Sequence, residues 1–136
     1  MTVEQPDRVP QLRGEERLYF DAARRGELVI QRCEACGTTM FASRVVCVSC
    51  GSRALNVVVA SGRGTVYSYT IVHRAPFRSM RDQTPYVVAL IDLAEGVRVM
   101  ANVIGERTSD VTIGAQVHVS FESLTAEFVV PQFVLV

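Results

Sequence analysis

The chain carries four cysteines, all inside the stretch RCEACGTTMFASRVVCVSCGS. They form two copies of Cys-x-x-Cys-Gly: Cys33 and Cys36 before Gly37, then Cys47 and Cys50 before Gly51. A two-residue gap lets both sulfurs of a pair face one ion, and four thiolates fill a closed tetrahedral zinc shell. The glycines suit a backbone that folds back toward sulfur in the left-handed region. Two such knuckles on a ten-residue connection read as a zinc ribbon. A dithiol redox centre would use one pair and leave its duplicate unexplained. An iron–thiolate centre uses similar ligands and would colour the protein. An ion held by four protein sulfurs has no open position, so the metal is expected to be structural. Its binding energy then serves as folding energy for a segment too short for a core of its own. Arg32, Arg44 and Arg53 flank the knuckles and could offset the excess negative charge.

With the cysteines given to metal, no free thiol remains for chemistry, and no catalytic residue is assigned. His73 and His118 stand alone on strands, without a partner that would make either a general base. Asp92 and Glu95 read as turn and solvent-facing residues. The short SGRG at 61–64 opens a strand and so is no phosphate loop. The longest connection, His73 to Tyr86, sets Arg74, Arg78 and Arg81 among Phe77, Met80 and Tyr86. That mixture suits a ligand with phosphates and a hydrophobic part; a solvated loop is the plainer reading.

The elements that position these residues follow in three pieces: a lead-in and helix (1–27), the ribbon (28–55) and a β domain (56–136). The segment GEERLYFDAARRG predicts a helix from about Gly14 to Arg25, with acids at its start, arginines at its end and Gly26 in the C′ position. Tyr19 and Phe20 lie on or beside its apolar face, which either packs on the chain or docks on a partner. Leu28 to Arg32 predicts a short strand into the ribbon. From Asn56 onward, runs rich in Val, Ile, Tyr and Phe are separated by Gly, Pro or Asp. Five or so strands predict a small closed barrel, with an open sandwich as the alternative. LAEGV at 93–97 predicts a hairpin turn around Gly96. Pro131 predicts an edge strand or a departure from the barrel. The apolar end, including Phe133 and Leu135, is thus expected either to fold back or to face a partner.

Composition narrows the class. No apolar run is long enough to cross a bilayer, and the polar N-terminus predicts no secretory signal. Both point to the cytoplasm. Net charge is zero, yet residues 1–81 hold 12 Arg against 7 acids (+5) and residues 82–136 hold 2 Arg against 7 acids (−5). A single-stranded nucleic-acid module, the alternative reading of a ribbon plus a barrel, would be basic and rich in stacking aromatics. Zero net charge and the absence of Trp argue against it.

Taken together, YFDAARRGELVIQRCEACG, SGRGTVYSYTIVHRAPF and PYVVALIDLAEGVRVMANVIG resemble the zinc-ribbon/OB-fold proteins of acyl-CoA metabolism, long catalogued as domain of unknown function family 35. The resemblance runs from about Leu18 to Phe133. It implies a mainly β chain: an N-terminal helix, a rubredoxin-like zinc ribbon and a five-stranded OB barrel. It implies Cys33, Cys36, Cys47 and Cys50 as ligands of a structural zinc ion. It also implies an accessory role beside a thiolase-like or aldolase subunit, and in some members a hydratase-type subunit, helping to hold an acyl-CoA. Arg74, Arg78 and Arg81 become candidates for the CoA phosphates, and Tyr19, Phe20, Phe133 and Leu135 for the partner surface. The chain departs from the family where Ala42, Ser43 and Val48 replace usual prolines.

Overall fold

The computed structural model describes residues 8–136. Helix α1 spans Glu16–Arg24. It precedes β1 (Val29–Cys33), β2 (Thr39–Phe41), β3 (Leu55–Val59), β4 (Arg63–Val72), β5 (Tyr86–Leu93), β6 (Arg98–Ile104), β7 (Gln116–Ser123) and β8 (Val129–Leu135). The first three strands form an antiparallel sheet in the order β2-β1-β3, and the other five close a barrel in the order β4-β5-β6-β8-β7. The mainly β architecture is the expected one, and closure decides against the open sandwich. Among the described residues, no helix is long and apolar enough to cross a membrane.

Helix α1 is a little shorter than its sequence pattern. Glu16 turns back to accept the Arg13 backbone N–H at 2.7 Å, which satisfies a donor ahead of the first turn. Gly26, at φ +76°, ends the helix as anticipated. So short a helix is stable only when packed. Its Ala22 is buried against Val29 and Ala42, with Leu18 and Tyr19 closing over them.

The run beginning at Asn56 divides. Its first part becomes β3 and pairs with β1, from Val29 opposite Val59 to Cys33 opposite Leu55. The barrel then starts at Arg63. Two glycines make that start possible. A Cβ on Gly62, whose φ is +86°, would strike the Val119 side chain, and one on Gly64 would lie 2.5 Å from Ile91 Cγ2. β4 therefore passes tightly over β7 and β5. On β5 the alternation is regular: Val87, Ala89, Ile91 and Leu93 point inward. They join Val66, Val99, Val103, Val117 and Phe133 in one core, which also takes in Leu28 and Ile30 beside the ribbon.

The end of the chain corrects an expectation. β8 is no edge strand; it lies between β6 and β7 and closes the barrel. Its parallel ladder to β6 is short, with Val103 opposite Phe133 and Ile104 opposite Val134, so Pro131 has no donor to lose there. Beside the proline, the buried Gln132 side chain takes over the pairing. It accepts the Asn102 backbone N–H at 2.7 Å and donates to Asn102 Oδ1 at 3.1 Å and Glu122 Oε1 at 3.2 Å. Phe133, expected as a candidate partner contact, is only 1% exposed and belongs to the core. Leu135 is half-buried and packs against the same cluster. Phe133→Ala should therefore cost about 3–5 kcal/mol in chemical denaturation, with Leu135→Ala costing clearly less. Gly62→Ala should destabilise more than Gly96→Ala. Both have positive φ, but the hairpin glycine has open space around it and should lose only about 1–2 kcal/mol.

Candidate metal centre

The two knuckles repeat one backbone design. In the first, Cys33 N–H donates to Thr38 O at 2.9 Å and Gly37 N–H to Cys33 O at 2.8 Å; in the second, Cys47 N–H donates to Ser52 O at 2.8 Å and Gly51 N–H to Cys47 O at 3.0 Å. Gly37 and Gly51 both have φ +77°. This turn points amides at sulfur. Ser49 N–H reaches Cys47 Sγ at 3.3 Å, and backbone N–H groups of Thr38 and Ser52 reach Cys36 and Cys50.

The four sulfurs lie within 4.8 Å of one another. Cys33 and Cys50 Sγ are 3.6 Å apart, as are Cys36 and Cys47 Sγ. A tetrahedron with metal–sulfur bonds of about 2.3 Å has edges of about 3.8 Å, so the cluster already has the size a zinc-like ion requires. Each knuckle supplies one buried sulfur, Cys33 or Cys47, and one exposed sulfur, Cys36 or Cys50. Met40 and Leu55 pack around the buried pair.

Hydrogen bonds set unequal proton affinities. The Thr38 side chain, helped by its backbone N–H, lowers Cys36 to about 6. At Cys50 the Ser52 N–H favours the thiolate, but the hydrogen bond with Cys33 and desolvation outweigh it and raise the thiol to about 11. Backbone N–H groups of Cys50 and Ser49 lower Cys47. Metal binding needs all four as thiolates, so affinity must fall as pH falls. The surrounding hydrogen bonds thus favour the thiolate at Cys36 and the protonated thiol at Cys50. Titration of the metal-free chain with Zn(II) in buffers of different ionisation enthalpy should show proton release, but less than one proton per cysteine. Alanine in place of buried Cys33 or Cys47 should abolish stoichiometric binding.

The other predicted residues are dispersed. Arg74, Arg78 and Arg81 are exposed on the β4–β5 connection, which holds a 3-10 turn over Arg78–Gln83 anchored by buried Met80. That connection meets β5 at Tyr86, while the opposite end of β5 meets the ribbon. There Glu95 accepts the Ser61 N–H at 2.8 Å and, through its carbonyl, the Thr39 hydroxyl at 3.4 Å. The length of β5, about 23 Å, thus separates the arginines from the metal side. Tyr19 and Phe20 are half-buried within the chain. Tyr19 packs edge-on against Phe41 and Phe20 at 5.1 Å each, and Phe20 lies 4.9 Å from Phe128. Burial pushes the Tyr19 phenol well above its usual range and keeps it neutral. His118 lies exposed, with Nδ1 3.0 Å from the Val119 carbonyl.

Two features escaped the sequence. Buried Gln31 grips the Arg44 backbone from both sides, accepting its N–H at 2.6 Å and donating to its carbonyl at 3.0 Å. Above it, Leu12, Tyr19, Phe20, Phe41 and Arg44 line a cleft of about 470 Å³. A glutamine between Ile30 and Arg32 in a short strand was the available signal for the first. The second depends on how the lead-in crosses the sheet, and no local pattern announces it.

Two family models match the chain: the ChsH2 rubredoxin-like zinc ribbon domain over residues 20–56 and the ChsH2 C-terminal OB-fold domain over residues 57–122. The chain is 39% identical over 98 residues to the DUF35 domain-containing scaffold protein of Methanocaldococcus jannaschii, covering 71% of this chain and 69% of that protein. It belongs to this DUF35 family of zinc-ribbon/OB-fold proteins. It is also similar to a probable enoyl-CoA hydratase alpha subunit of Thermomonospora curvata, at 36% identity over 124 residues. That match covers 91% of this chain but 38% of the relative, so the chain spans well under half of that protein's length. Among solved structures, a chain of the Ltp2-ChsH2(DUF35) aldolase superposes with a TM-score of 0.83 at 35% identity, covering 93% of this chain and 98% of that one.

Proposed function

We propose that this chain is a non-catalytic, cytoplasmic accessory subunit that binds a thiolase-like or aldolase enzyme and helps present its acyl-CoA substrate. The observation that carries the reading is the end-to-end likeness to a chain of a structure named as an aldolase joined to a DUF35 protein. The likeness covers helix, ribbon and barrel together, so the whole chain has the form of that subunit. The metal centre supports the non-catalytic half. Four protein sulfurs converge on one point and leave no position for water or substrate, so the ion, zinc in this reading, clips the ribbon and does no chemistry. In the same reading the exposed Arg74, Arg78 and Arg81 meet the CoA phosphates, for which a guanidinium is well suited.

The test is reconstitution. A tagged, zinc-loaded chain co-expressed with thiolase-like and aldolase enzymes of its own cell should co-elute with one of them. Thioester cleavage or condensation should appear only in the mixture. Turnover of an acyl-CoA by the pure chain alone would overturn the non-catalytic assignment, and failure to capture any of those enzymes would overturn the subunit role.

A further inference from the structure

We infer that the open edge of β3 is an interface at which two copies of this chain join their ribbon sheets about a two-fold axis. The inference goes beyond the subunit role proposed above and does not rest on it. The barrel closes on itself and has no edge, and β2, on the far side of the ribbon sheet, is only three residues long. β3 has five residues and pairs on one side alone, with β1. Natural edge strands are blunted by charges, proline or a bulge. β3 has none of these: ALNVVVASG at 54–62 is uncharged and free of proline, and its pairing with β1 runs without a register shift. Val57, Val58 and Val59 are all exposed, Val57 by 48% and Val59 by 55%.

The ladder shows which backbone groups are open. Ala60 N–H donates to Leu28 O at one end and Glu34 N–H to Ala54 O at the other, each at 2.8 Å. Antiparallel residues alternate between bonded and non-bonded positions, so Ala54, Asn56, Val58 and Ala60 turn their backbone groups to β1. Leu55, Val57 and Val59 turn theirs outward. The complement of such an edge is an extended apolar strand running the opposite way, and a second β3 is one. Centred on Val57, the pairing sets Val57 opposite its own copy and Val59 opposite Leu55, so the whole strand is used. Leu55 N–H is already held by Arg53 O at 2.9 Å. Four new backbone hydrogen bonds remain: two between the Val57 residues, and one from each Val59 N–H to the facing Leu55 O. The same register makes the charges agree. It sets Arg53 of one copy opposite Ser61 of the other, where Glu95 lies accepting the Ser61 N–H. Arg53 is exposed and has no acidic partner among the described residues. An Arg53–Glu95 ion pair thus flanks the axis on each side. Gln31, opposite Val57, holds the loop at Arg44, so exposed Val45 and Val46 follow on the same face of the sheet and widen the apolar contact.

The experiment is analytical ultracentrifugation of the zinc-loaded full chain over a range of concentrations, joined to amide hydrogen exchange. A species of twice the 15.0 kDa chain mass should form and dissociate on dilution. In it the Val57 and Val59 amides should exchange slowly and become fast on dilution, whereas the Val58 amide, bonded to β1, should stay slow in both states. Val57→Lys sets two like charges opposite each other and should weaken association by at least about 100-fold. Val57→Pro removes only an outward N–H, so it should have the same effect with the β1 ladder intact. Arg53→Glu should weaken association, and Arg53→Glu with Glu95→Arg should recover most of the loss. Ile113→Lys, exposed on the β6–β7 connection, should change nothing. A chain that stays monomeric at every concentration overturns the inference. So does a dimer that survives Val57→Lys, or Val57 and Val59 amides that are slowed only by an added enzyme. The two readings fail separately: a captured enzyme with a monomeric chain removes only the dimer, and a dimer that captures no enzyme removes only the subunit role.

Discussion

Everything else in the molecule depends on β1, in which Val29, Ile30, Gln31 and Cys33 are buried and only Arg32 is exposed. In five residues it serves three neighbours. Ile30, with Leu28 just ahead of the strand, enters the barrel core. Val29 faces the other way, into the contact with Ala22 of α1. Gln31 holds the Arg44 backbone, and Cys33 carries the chain into the metal site. A strand with buried side chains on both faces is ordinarily the middle of a layered domain. Here it joins helix, ribbon and barrel into one packed unit, although β1 pairs only with β2 and β3. Shifting its register by one residue would exchange the two faces and break all three contacts together.

That double role explains which parts of the architecture could be read from sequence. The knuckles depend on residue type and spacing over 21 residues, and they formed as expected. The Gly96 hairpin and the Gly26 helix stop are equally local, as is the alternation along β5. The errors involve partners distant in sequence. The valines of β3 look like any barrel strand, and only their pairing with β1 assigns them to the ribbon sheet. Pro131 pointed to an edge, and that argument was sound as far as it went. It missed that a parallel ladder of two residue pairs leaves room for a proline within a closed barrel, provided a side chain such as Gln132 takes up the slack. Of the two readings open for the chain end, Phe133 follows the first and folds back into the core. An apolar chain end looks sticky until the strand that covers it is known.

The polar seam beside Pro131 answers a second difficulty. Asn102, Gln132 and Glu122 sit on β6, β8 and β7, beside the stretch where β6 and β8 do not pair, and Arg8 reaches Glu122 at 3.3 Å with its side chain 10% exposed. Buried polar groups are tolerated when each finds a partner. Here they do: Asn102 also donates to the Val87 carbonyl at 2.9 Å, tying the seam to β5. The barrel can therefore admit the proline without an orphaned donor, and the lead-in is drawn against β7 at the point where it begins to cross the cleft.

The cysteine cluster and the cleft, finally, are joined by one loop. The loop from Phe41 to Val46 leaves β2, which is paired to β1, and arrives at Cys47, a predicted ligand. Gln31 clamps its middle at Arg44. Three fixed points over so short a span leave little freedom to the wall that Phe41 and Ala42 present to α1. The Cys47 end is already held by packing against Met40 and Leu55 and by its hydrogen bond to Ser52, and four thiolates on a cation would hold it more strongly. An ion held by the four cysteines would fix the far end of a loop whose near end is already part of the sheet. Conservative changes at the cysteines would thus be felt first at Phe41 and Arg44 rather than in the barrel, whose strands close on each other without help from the ion.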